Sequence, residues 1–490
     1  MKKYLKNILL NTPLFILIID FILFFPGFFT YFHQDDFIHF SYSQTLNQVL
    51  SAFNIFYQGN FPFYRPIPTQ LYFYLGKLFF SFNPLGYHIV NFIIFSCNIF
   101  LVYKLAFILT KKRETAFIST LFYGINSTHF APLYSPAYVH ELLYVLFGLN
   151  TILNYYYWLK SGVIKKYLLS LIFFIFALMT KETAVVLPGI ILLLILFLEN
   201  KLLIGQLKKF SAFILITFVY LMGHFLFYGI ANSPSYTLIF GKANINILIW
   251  YFLWALSTPN ILIDYFGPGF KISSVFFAVT KINGLIYIVL FPVFLGLLFL
   301  TILICLKNIQ QGTKKIIFFG ISWFIVGLIP LLIFPLHRLA TEQSFSLVGL
   351  TLALGIILYQ IHHSSINGKR LFFLLLGLYF VIATNSILTA RYTHWIIRSA
   401  AIAKNTLSYF QKKNPEIPNN QVINFINGNV KIPQWGSSRQ IYYALGNGYG
   451  LKMILNKPLL VIYYEDINPL PSDIKNKQIL TVDSSTLLDY

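Results

Sequence analysis

Two adjacent aspartates stand out in a chain with very few acidic residues. Asp35 and Asp36 follow the first long apolar segment and lie between His33 and His39, in a chain with only 15 Asp and Glu residues among 490. A carboxylate within hydrogen-bond reach of a hydroxyl group can accept its proton as the hydroxyl attacks another molecule. The pair is therefore a candidate for general-base chemistry, although adjacent acids repel and can share a proton, so charge alone does not distinguish them. The alternative is that one aspartate caps a helix beginning near Phe37 and both carboxylates are solvated.

Six further polar residues in segments between apolar runs are candidates for substrate binding. An arginine can bind a phosphate or a carboxylate through two parallel hydrogen bonds, whereas a lysine acts as a point charge. Each candidate also has a structural explanation, because interfacial cations contact lipid phosphate, neighbouring charges form weak surface pairs and histidines at helix ends pack locally. Binding of a divalent metal ion by His33, His39 and the two acids remains an alternative, although the spacing of these residues is not diagnostic. The candidate binding residues are Arg65, His129, Lys181, Glu182, His337 and Arg338.

The composition indicates that these residues belong to a membrane protein. Hydrophobic residues make up 57% of the chain, aromatic residues 19% and charged residues only 10%, whereas about a quarter of the residues in a soluble domain are charged. Apolar runs of about 20 residues, long enough to cross a bilayer as a helix, recur throughout the chain. The predicted fold class is an all-α polytopic membrane protein, located in the cell membrane.

The net charge of +21 does not indicate nucleic-acid binding. Much of the lysine and arginine lies in short clusters between apolar segments, which is the distribution found in the cytoplasmic loops of membrane proteins. The two cysteines, Cys97 and Cys305, lie within apolar runs, so neither a disulfide framework nor a cysteine metal cluster is predicted. The apolar segment from Ile8 to Phe29 lacks a small-residue cleavage site, and we interpret it as a retained first helix.

The cationic clusters predict a topology of about eleven crossings, with the N-terminus inside and the C-terminus outside. If every cluster is cytoplasmic, an even number of crossings separates each from the next. The apolar stretch 246–263 is interrupted by Ser257-Thr258-Pro259-Asn260, so we interpret it as a re-entrant or interfacial element. All candidate residues then lie on the extracytoplasmic side. The predicted crossings are 8–30, 86–109, 114–126, 139–159, 164–180, 183–198, 210–230, 283–306, 316–335, 344–361 and 371–390.

Two regions outside the crossings are expected to be structured. The first outer loop, 31–85, is long for a simple connection, and its segments 43–57 and 69–82 are predicted to be helices lying in the membrane interface. Beyond Arg391 the composition becomes that of a soluble protein. We therefore divide the chain into a transmembrane domain, 1–390, and a small extracytoplasmic α/β domain, 391–490. Its predicted elements are helices 396–412 and 437–446 and strands 421–427 and 458–464.

Four short motifs carry a resemblance to a known family. They are Asp35-Asp36, Phe63-Tyr64-Arg65-Pro66, Ala177-Leu178-Met179-Thr180-Lys181-Glu182-Thr183-Ala184 running on to Pro188, and His337-Arg338 followed by Ser344-Phe345-Ser346-Leu347-Val348-Gly349. Through them, residues 1–390 resemble the C-type membrane glycosyltransferases, specifically the dolichyl-phosphate-mannose protein mannosyltransferase-like branch and its bacterial relatives. The chain departs from relatives that carry His-Pro-x-His and a following acid, because it has Asn126-Ser127-Thr128-His129 and then Ala131.

The resemblance implies an inverting glycosyltransferase that moves a sugar from a polyprenyl-phosphate carrier to an extracytoplasmic acceptor hydroxyl. Asp35 is then the expected base, and Asp36 orients it or holds Arg65 in place. Lys181 and the pair His337-Arg338 are expected near the departing phosphate, where negative charge grows in the transition state. The expected partners are membrane lipids, the lipid-linked sugar donor and an acceptor that is a protein, a lipid or a glycan. No cofactor is assigned, and a divalent cation remains open.

Two other functions remain as alternatives. A polyprenyl-linked sugar flippase or another polytopic transporter would use charged residues near the bilayer midplane. Asp20, which lies within the first apolar helix, and the broken 246–263 stretch favour such a protein. The clustering of acids at one surface and the lack of an internal repeat favour the enzyme. A polysaccharide ligase or polymerase would instead place its decisive basic residues in a large later loop.

Overall fold

The helical membrane protein predicted from the composition is confirmed by a computed structural model. It describes residues 12–56, 63–198, 204–267, 271–308, 310–413, 422–428, 437–456, 461–471 and 478–488. Residues 2–6, 8–11, 57, 201, 421 and 458–460, which carry parts of the predicted clusters and elements, lie outside these ranges. Within the described residues the chain is mostly α-helical, and six helices are long and apolar enough to cross a membrane. These are Pro84–Thr110, Phe210–Phe227, Asn283–Cys305, Gln311–Leu332, Ala340–His362 and Ile366–Lys412.

Each of the eleven predicted crossings overlaps a helix, but only the six above have the length and hydropathy of a span. The helices of the first half are α1 (Pro13–Phe24), α2 (Asp35–Ser41), α3 (Leu46–Ala52), α4 (Tyr72–Phe80), α5 (Pro84–Thr110), α6 (Arg113–Gly124), α7 (Phe130–Tyr134), α8 (Val139–Ser161), α9 (Ile164–Leu178) and α10 (Leu187–Leu198). Those that follow are α11 (Ile204–Phe227), α12 (Lys242–Ala255), α13 (Phe276–Thr280), α14 (Asn283–Asn308), α15 (Gln311–Leu332), α16 (Ser344–His362), α17 (Ile366–Thr393) and α18 (Trp395–Lys413).

The first outer loop contains short helices with clear starting signals. Thr45 begins α3 with a capping box, in which Gln48 completes the reciprocal hydrogen bonds. Leu46 and Leu50 are exposed on α3 while Val49 is buried, and the interfacial position of this helix stays a prediction. The α3 helix is shorter than the predicted 43–57. The predicted 69–82 helix corresponds to the π-helix Pro66–Leu71 followed by α4.

Helix α16 lies at the centre of the bundle, and nearly all of its residues are buried. Small residues allow its close packing on both sides. A Cβ atom on Gly320 of α15 would lie 2.5 Å from the carbonyl oxygen of Gly349, and one on Gly355 would lie 2.0 Å from Ser119 Oγ of α6. Close approach at glycines is how helices pack in membranes.

The interruption predicted near Ser257 is observed, and protein groups satisfy its backbone. Helix α12 ends at Ala255, and Ser257 has a positive φ of 66°. Asn126 Nδ2 donates to the carbonyl oxygen of Ala255 at 2.9 Å, and Ser386 Oγ donates to that of Ser257. A break at membrane depth requires such partners because lipid offers none.

The described part of the C-terminal region forms a parallel three-stranded sheet in the order β2-β1-β3, with β1 at Val422–Ile426, β2 at Val461–Tyr464 and β3 at Ile479–Asp483. The predicted strands 421–427 and 458–464 and helix 437–446 correspond to β1, β2 and α19 (Ser437–Ala444), while β3 and α20 (Tyr449–Leu455) were not predicted. This region shares one apolar core with the first outer loop. Phe37 and Phe40 of the loop belong to the same buried cluster as Phe425 and Leu451.

Candidate functional site

One end of a large cavity brings together several of the ionisable candidates. The cavity has a volume of about 570 Å³ and is lined by α11, α15 and the segment that follows α11. Most of its wall is apolar, with side chains such as Leu221, Leu238 and Phe334. Lys181, Glu182, His337 and Glu342, which come from two loops, line its polar part, and Tyr220, His224 and Tyr236 also line it.

Arg65 and Glu182 form a bidentate ion pair beside this polar end. Arg65 Nε donates to Glu182 Oε2 at 2.8 Å, and Arg65 Nη2 donates to Glu182 Oε1 at 2.5 Å. Arg65 directly precedes the helix Pro66–Leu71, and Glu182 begins the 3-10 turn Glu182–Val186, so short rigid elements orient both. Burial lowers the pKa of Arg65, but Glu182 more than offsets this, and the net pKa is raised. The guanidinium is therefore a permanent cation.

Lys181 pairs with Glu141 rather than with its sequence neighbour. The Lys181 ammonium donates to Glu141 Oε1, and both side chains are buried. His140 Nε2 lies 3.3 Å from the same oxygen. The surface pair between Lys181 and Glu182, which was one explanation of these two residues, is not formed. A buried pair holds its lysine firmly because separating the two charges would leave each unpaired in apolar surroundings.

His337 and Arg338 point to different surroundings. His337 Nε2 lies 2.9 Å from Glu342 Oε1, and the imidazole stacks on Tyr236 with 4.5 Å between ring centres. Burial lowers the pKa of His337, but the Glu342 carboxylate more than offsets it, so the net pKa is raised. Arg338 is exposed and interacts electrostatically with Asp264. The structure therefore brings His337, but not Arg338, to the cavity wall.

The two aspartates have different environments. Asp36 is fully buried and accepts hydrogen bonds from the backbone N–H groups of His33 at 2.9 Å and Ala137 at 2.7 Å. Burial raises the pKa of Asp36 to about 8, against the effect of those two donors. Asp36 thus ties α2 to the segment before α8. The expected contact between Asp36 and Arg65 is absent from the described residues, because Glu182 is the carboxylate that binds Arg65.

Asp35 is exposed at the start of α2 but lies in a recess of the protein. The surrounding protein desolvates the carboxylate and raises the pKa of Asp35, while His140 and Arg65 act in the opposite direction. Tyr236, which lines the cavity, interacts electrostatically with Asp35 and Arg65. Asp35 does not line the cavity, but it interacts electrostatically with Arg65 and Tyr236, and its side chain is exposed.

The neighbouring histidines do not form a metal site with this pair in the described part of the chain. His33 is buried edge-on against Trp395, and His39 is buried against Phe73. Burial is the main cause that lowers the pKa of each imidazole to about 3. The one group of three possible metal ligands among the described residues is elsewhere, at Glu114, His362 and His363.

His129 belongs to the packing of the helices and not to the cavity wall. It is fully buried, its Nε2 lies 2.9 Å from the carbonyl oxygen of Tyr123, and its ring packs on those of Phe95 and Tyr123. This is the structural explanation considered for a histidine at a helix end.

Sequence reasoning undervalued three residues that the cavity region contains. Glu141 is not among the candidates identified from the sequence, yet it is the partner of Lys181. Glu342 and Tyr236 flank His337, and neither was a candidate. Glu342 follows His337 by five residues, so a local pairing of opposite charges could have identified Glu342 from the sequence. Nothing in the sequence near Tyr236 distinguishes it from the other 32 tyrosines of the 33 in the chain.

The arrangement combines a carboxylate base with cations and an apolar wall. Asp35 can accept a proton, and Arg65, Lys181 and His337 are each oriented by a carboxylate. Such preorganised cations stabilise negative charge that develops on a leaving group. Comparison with known proteins adds no assignment, because no protein-family model and no curated protein matches the chain.

Proposed function

We propose that the protein is an inverting glycosyltransferase of the cell membrane, which transfers a sugar from a polyprenyl-phosphate carrier to a hydroxyl group. The observation that carries the proposal is the polar end of the cavity, where an apolar wall meets the oriented side chains of Lys181 and His337. Arg65, which is paired with Glu182, interacts electrostatically with Asp35. The cavity wall suits an isoprenoid chain, and the polar end suits its phosphate.

The cations are suited to a phosphate that becomes more negative as the sugar leaves. Arg65 uses two N–H groups for Glu182, and the remaining three of its five N–H groups are available to phosphate oxygens. His337 is held as a donor by Glu342. Because all three cations are already oriented, little reorganisation accompanies the reaction, which is the condition for efficient electrostatic catalysis.

Asp35 acts as the base in this proposal. The acceptor oxygen attacks the anomeric carbon, its proton passes to Asp35, and the bond to the phosphate oxygen breaks with both electrons remaining on the polyprenyl phosphate. A single displacement of this kind inverts the anomeric configuration. Asp36 does not contact the reactants and instead holds α2 in position through His33 and Ala137.

The topology of eleven crossings is part of the same proposal. Six long apolar helices and the shorter apolar helices Pro13–Phe29 and Glu182–Leu196 support a protein with many crossings, and in this proposal the cavity opens at one membrane face. We assign this face to the extracytoplasmic side because the lysine-rich connections lie at the opposite ends of the helices.

A lipid flippase is the competing function, and one observation favours it. Asp20 is fully buried in α1, and neither carboxylate oxygen has a hydrogen-bond partner among the described residues. Buried acids of this kind occur on transport pathways. Asp20, however, is not among the residues that line the cavity.

The deciding experiment uses proteoliposomes with a polyprenyl-phosphate sugar labelled in the sugar. A transferase releases unlabelled polyprenyl phosphate and passes the label to an acceptor or to water. Label that changes leaflet while still attached to its lipid would support the flippase and contradict the transferase. Glu114 is an exposed acid outside the cavity, so the Glu114→Gln variant serves as the matched control for substitution of Asp35.

A further inference from the structure

We infer that the C-terminal region positions the segment that carries Asp35, so that its described helices α18, α19 and α20 contribute to the geometry of the active site. This inference rests on the proposed function, in which Asp35 is the base. It assigns to the region a role that its sequence did not indicate, and it identifies Gln34 as a positioning residue.

Gln34 has a strained backbone at the residue immediately before Asp35. Its φ is 41° and its ψ is −111°, on the side of conformational space that residues other than glycine rarely adopt. Strain of this kind persists only where the surrounding structure imposes it, and it is concentrated at functional sites. The conformation of Gln34 sets the direction in which α2, and with it Asp35, begins.

The C-terminal region supplies the groups that impose this conformation. The backbone N–H of Gln34 donates to the carbonyl oxygen of Ala444 at 2.9 Å. Its side-chain Nε2 donates to Ser399 Oγ, also at 2.9 Å. Both acceptors lie beyond residue 391, more than 360 residues away in the sequence for Ser399.

A glycine completes the contact by allowing close approach. A Cβ atom on Gly446 would lie 2.4 Å from the carbonyl oxygen of Gln34 and 2.8 Å from Phe37 Cβ. Gly450 similarly lies against the Phe37 ring, at 3.0 Å for an added Cβ. The loop between α19 and α20 therefore fits directly against the start of α2.

Two parts of the chain that are distant in sequence thus contact α2. The membrane-embedded part holds it through the hydrogen bond from Ala137 to Asp36, and the C-terminal region holds it through Gln34 and Phe37. Asp35 lies between these attachments. Because a displacement of about 1 Å at a catalytic group can reduce the rate by about 10²-fold, loss of either attachment is expected to lower kcat.

Donor binding is expected to be independent of this contact. Arg65, Lys181 and His337 lie on other loops, and their partners are Glu182, Glu141 and Glu342. A fault at Gln34 should therefore lower kcat and leave the KM for the donor unchanged. A general loss of structure would change both quantities.

The test compares two glycines that are two residues apart in the same loop. Gly446 and Gly448 both have positive φ, 60° and 81°, so alanine strains the backbone at either position. Only Gly446 contacts Gln34, whereas an added Cβ on Gly448 would lie 3.1 Å from the Tyr464 hydroxyl. In full-length protein, Gly446→Ala should lower kcat about tenfold or more with an unchanged donor KM, and Gly448→Ala should keep kcat near the wild-type value. Equal kcat in the two variants would overturn the inference.

A second pair of variants tests the strained residue itself. Gln34→Val should lower kcat, because a β-branched residue does not tolerate positive φ. Gln34→Gly should retain a higher kcat than Gln34→Val, since glycine adopts this conformation freely, while it loses the hydrogen bond to Ser399 Oγ. A valine variant with wild-type kcat would contradict the positioning role.

Hydrogen exchange separates failure of this inference from failure of the proposed function. The peptide containing residues 35–41 should exchange faster in Gly446→Ala than in wild type or Gly448→Ala, and this measurement needs no sugar donor. If Gly446→Ala exchanges faster but the wild type shows no transfer activity, the contact between the C-terminal region and α2 is supported and the proposed reaction is contradicted. Unchanged exchange in Gly446→Ala would remove the attachment.

Discussion

At the scale of single residues, the site is a set of charges with assigned partners. Arg65, Lys181 and His337 each bind a carboxylate. Asp35, by contrast, has no hydrogen-bond or ion-pair partner among the described residues, and it is exposed. This difference is why we propose Asp35, rather than the buried Asp36, as the base.

The environment of Asp35 predicts a pH dependence of transfer. A base must be unprotonated, so activity rises as pH increases through its pKa. Desolvation raises that pKa above the ordinary value of about 4, and the acid limb of kcat/KM should therefore have its midpoint above about 4. The raised pKa of His337 keeps it protonated to higher pH and gives the alkaline limb.

The measurement is a profile of kcat/KM for wild type and His337→Gln. The alkaline limb should disappear in the variant and the acid limb should remain. An acid limb that is lost with His337, or one centred at the ordinary aspartate pKa, would contradict the assignment of Asp35.

The buried pair between Lys181 and Glu141 predicts a strong and coupled effect on stability. Lys181→Met or Glu141→Gln alone leaves a buried charge without its partner, which typically costs about 3–5 kcal/mol. The double variant removes both charges and should recover much of that loss. Denaturant unfolding in detergent measures this cycle, and additive losses in the double variant would show that the two side chains are independent.

At the scale of elements, the motifs were predictable but their partners were not. The capping box of α3, the break after α12 and the glycines that end α19 are local signals, so the sequence could locate them. The pairing of Arg65 with Glu182, however, joins residues 117 positions apart. Such contacts depend on how α8, α9 and the first outer loop pack, and no local pattern records that arrangement.

The cavity between α11 and α15 predicts that a bulky residue blocks the donor. Leu221 lines the cavity, while Leu226 on the same helix is 70% exposed and does not. Leu221→Trp should raise the donor KM by about tenfold, equivalent to about 1.4 kcal/mol of binding. Leu226→Trp is the matched control. Equal KM values would mean that the lipid chain binds elsewhere.

At the scale of the whole molecule, composition was enough to predict a helical membrane protein but not its exact spans. The helix Val139–Ser161 overlaps a predicted crossing, yet it contains Glu141 and several polar residues and does not have the hydropathy of a span. The separation into domains at residue 390 also missed a feature. Phe37 of the first outer loop and Leu451 of the C-terminal region belong to one apolar core, so the two predicted domains are packed together. Composition could not predict this contact because it joins segments that are distant in the sequence.

The proposed sidedness predicts which cysteines an impermeant reagent can reach. In a Cys97→Ser background, Asn47→Cys in the first outer loop should react in intact cells, because Asn47 is exposed. Arg113 is exposed and belongs to the cationic cluster Lys111-Lys112-Arg113, which the topology predicts to be cytoplasmic. Arg113→Cys should therefore react only after permeabilisation. The reverse pattern would place the cavity on the cytoplasmic side.

The most direct measurement is the single-turnover rate of sugar transfer by the Asp35→Asn variant, together with its affinity for the donor. The proposed mechanism predicts a rate lower by about 10²- to 10⁴-fold, with donor binding as tight as in the wild type and with Glu114→Gln unaffected. Transfer by Asp35→Asn at the wild-type rate would contradict the role of this carboxylate as the base.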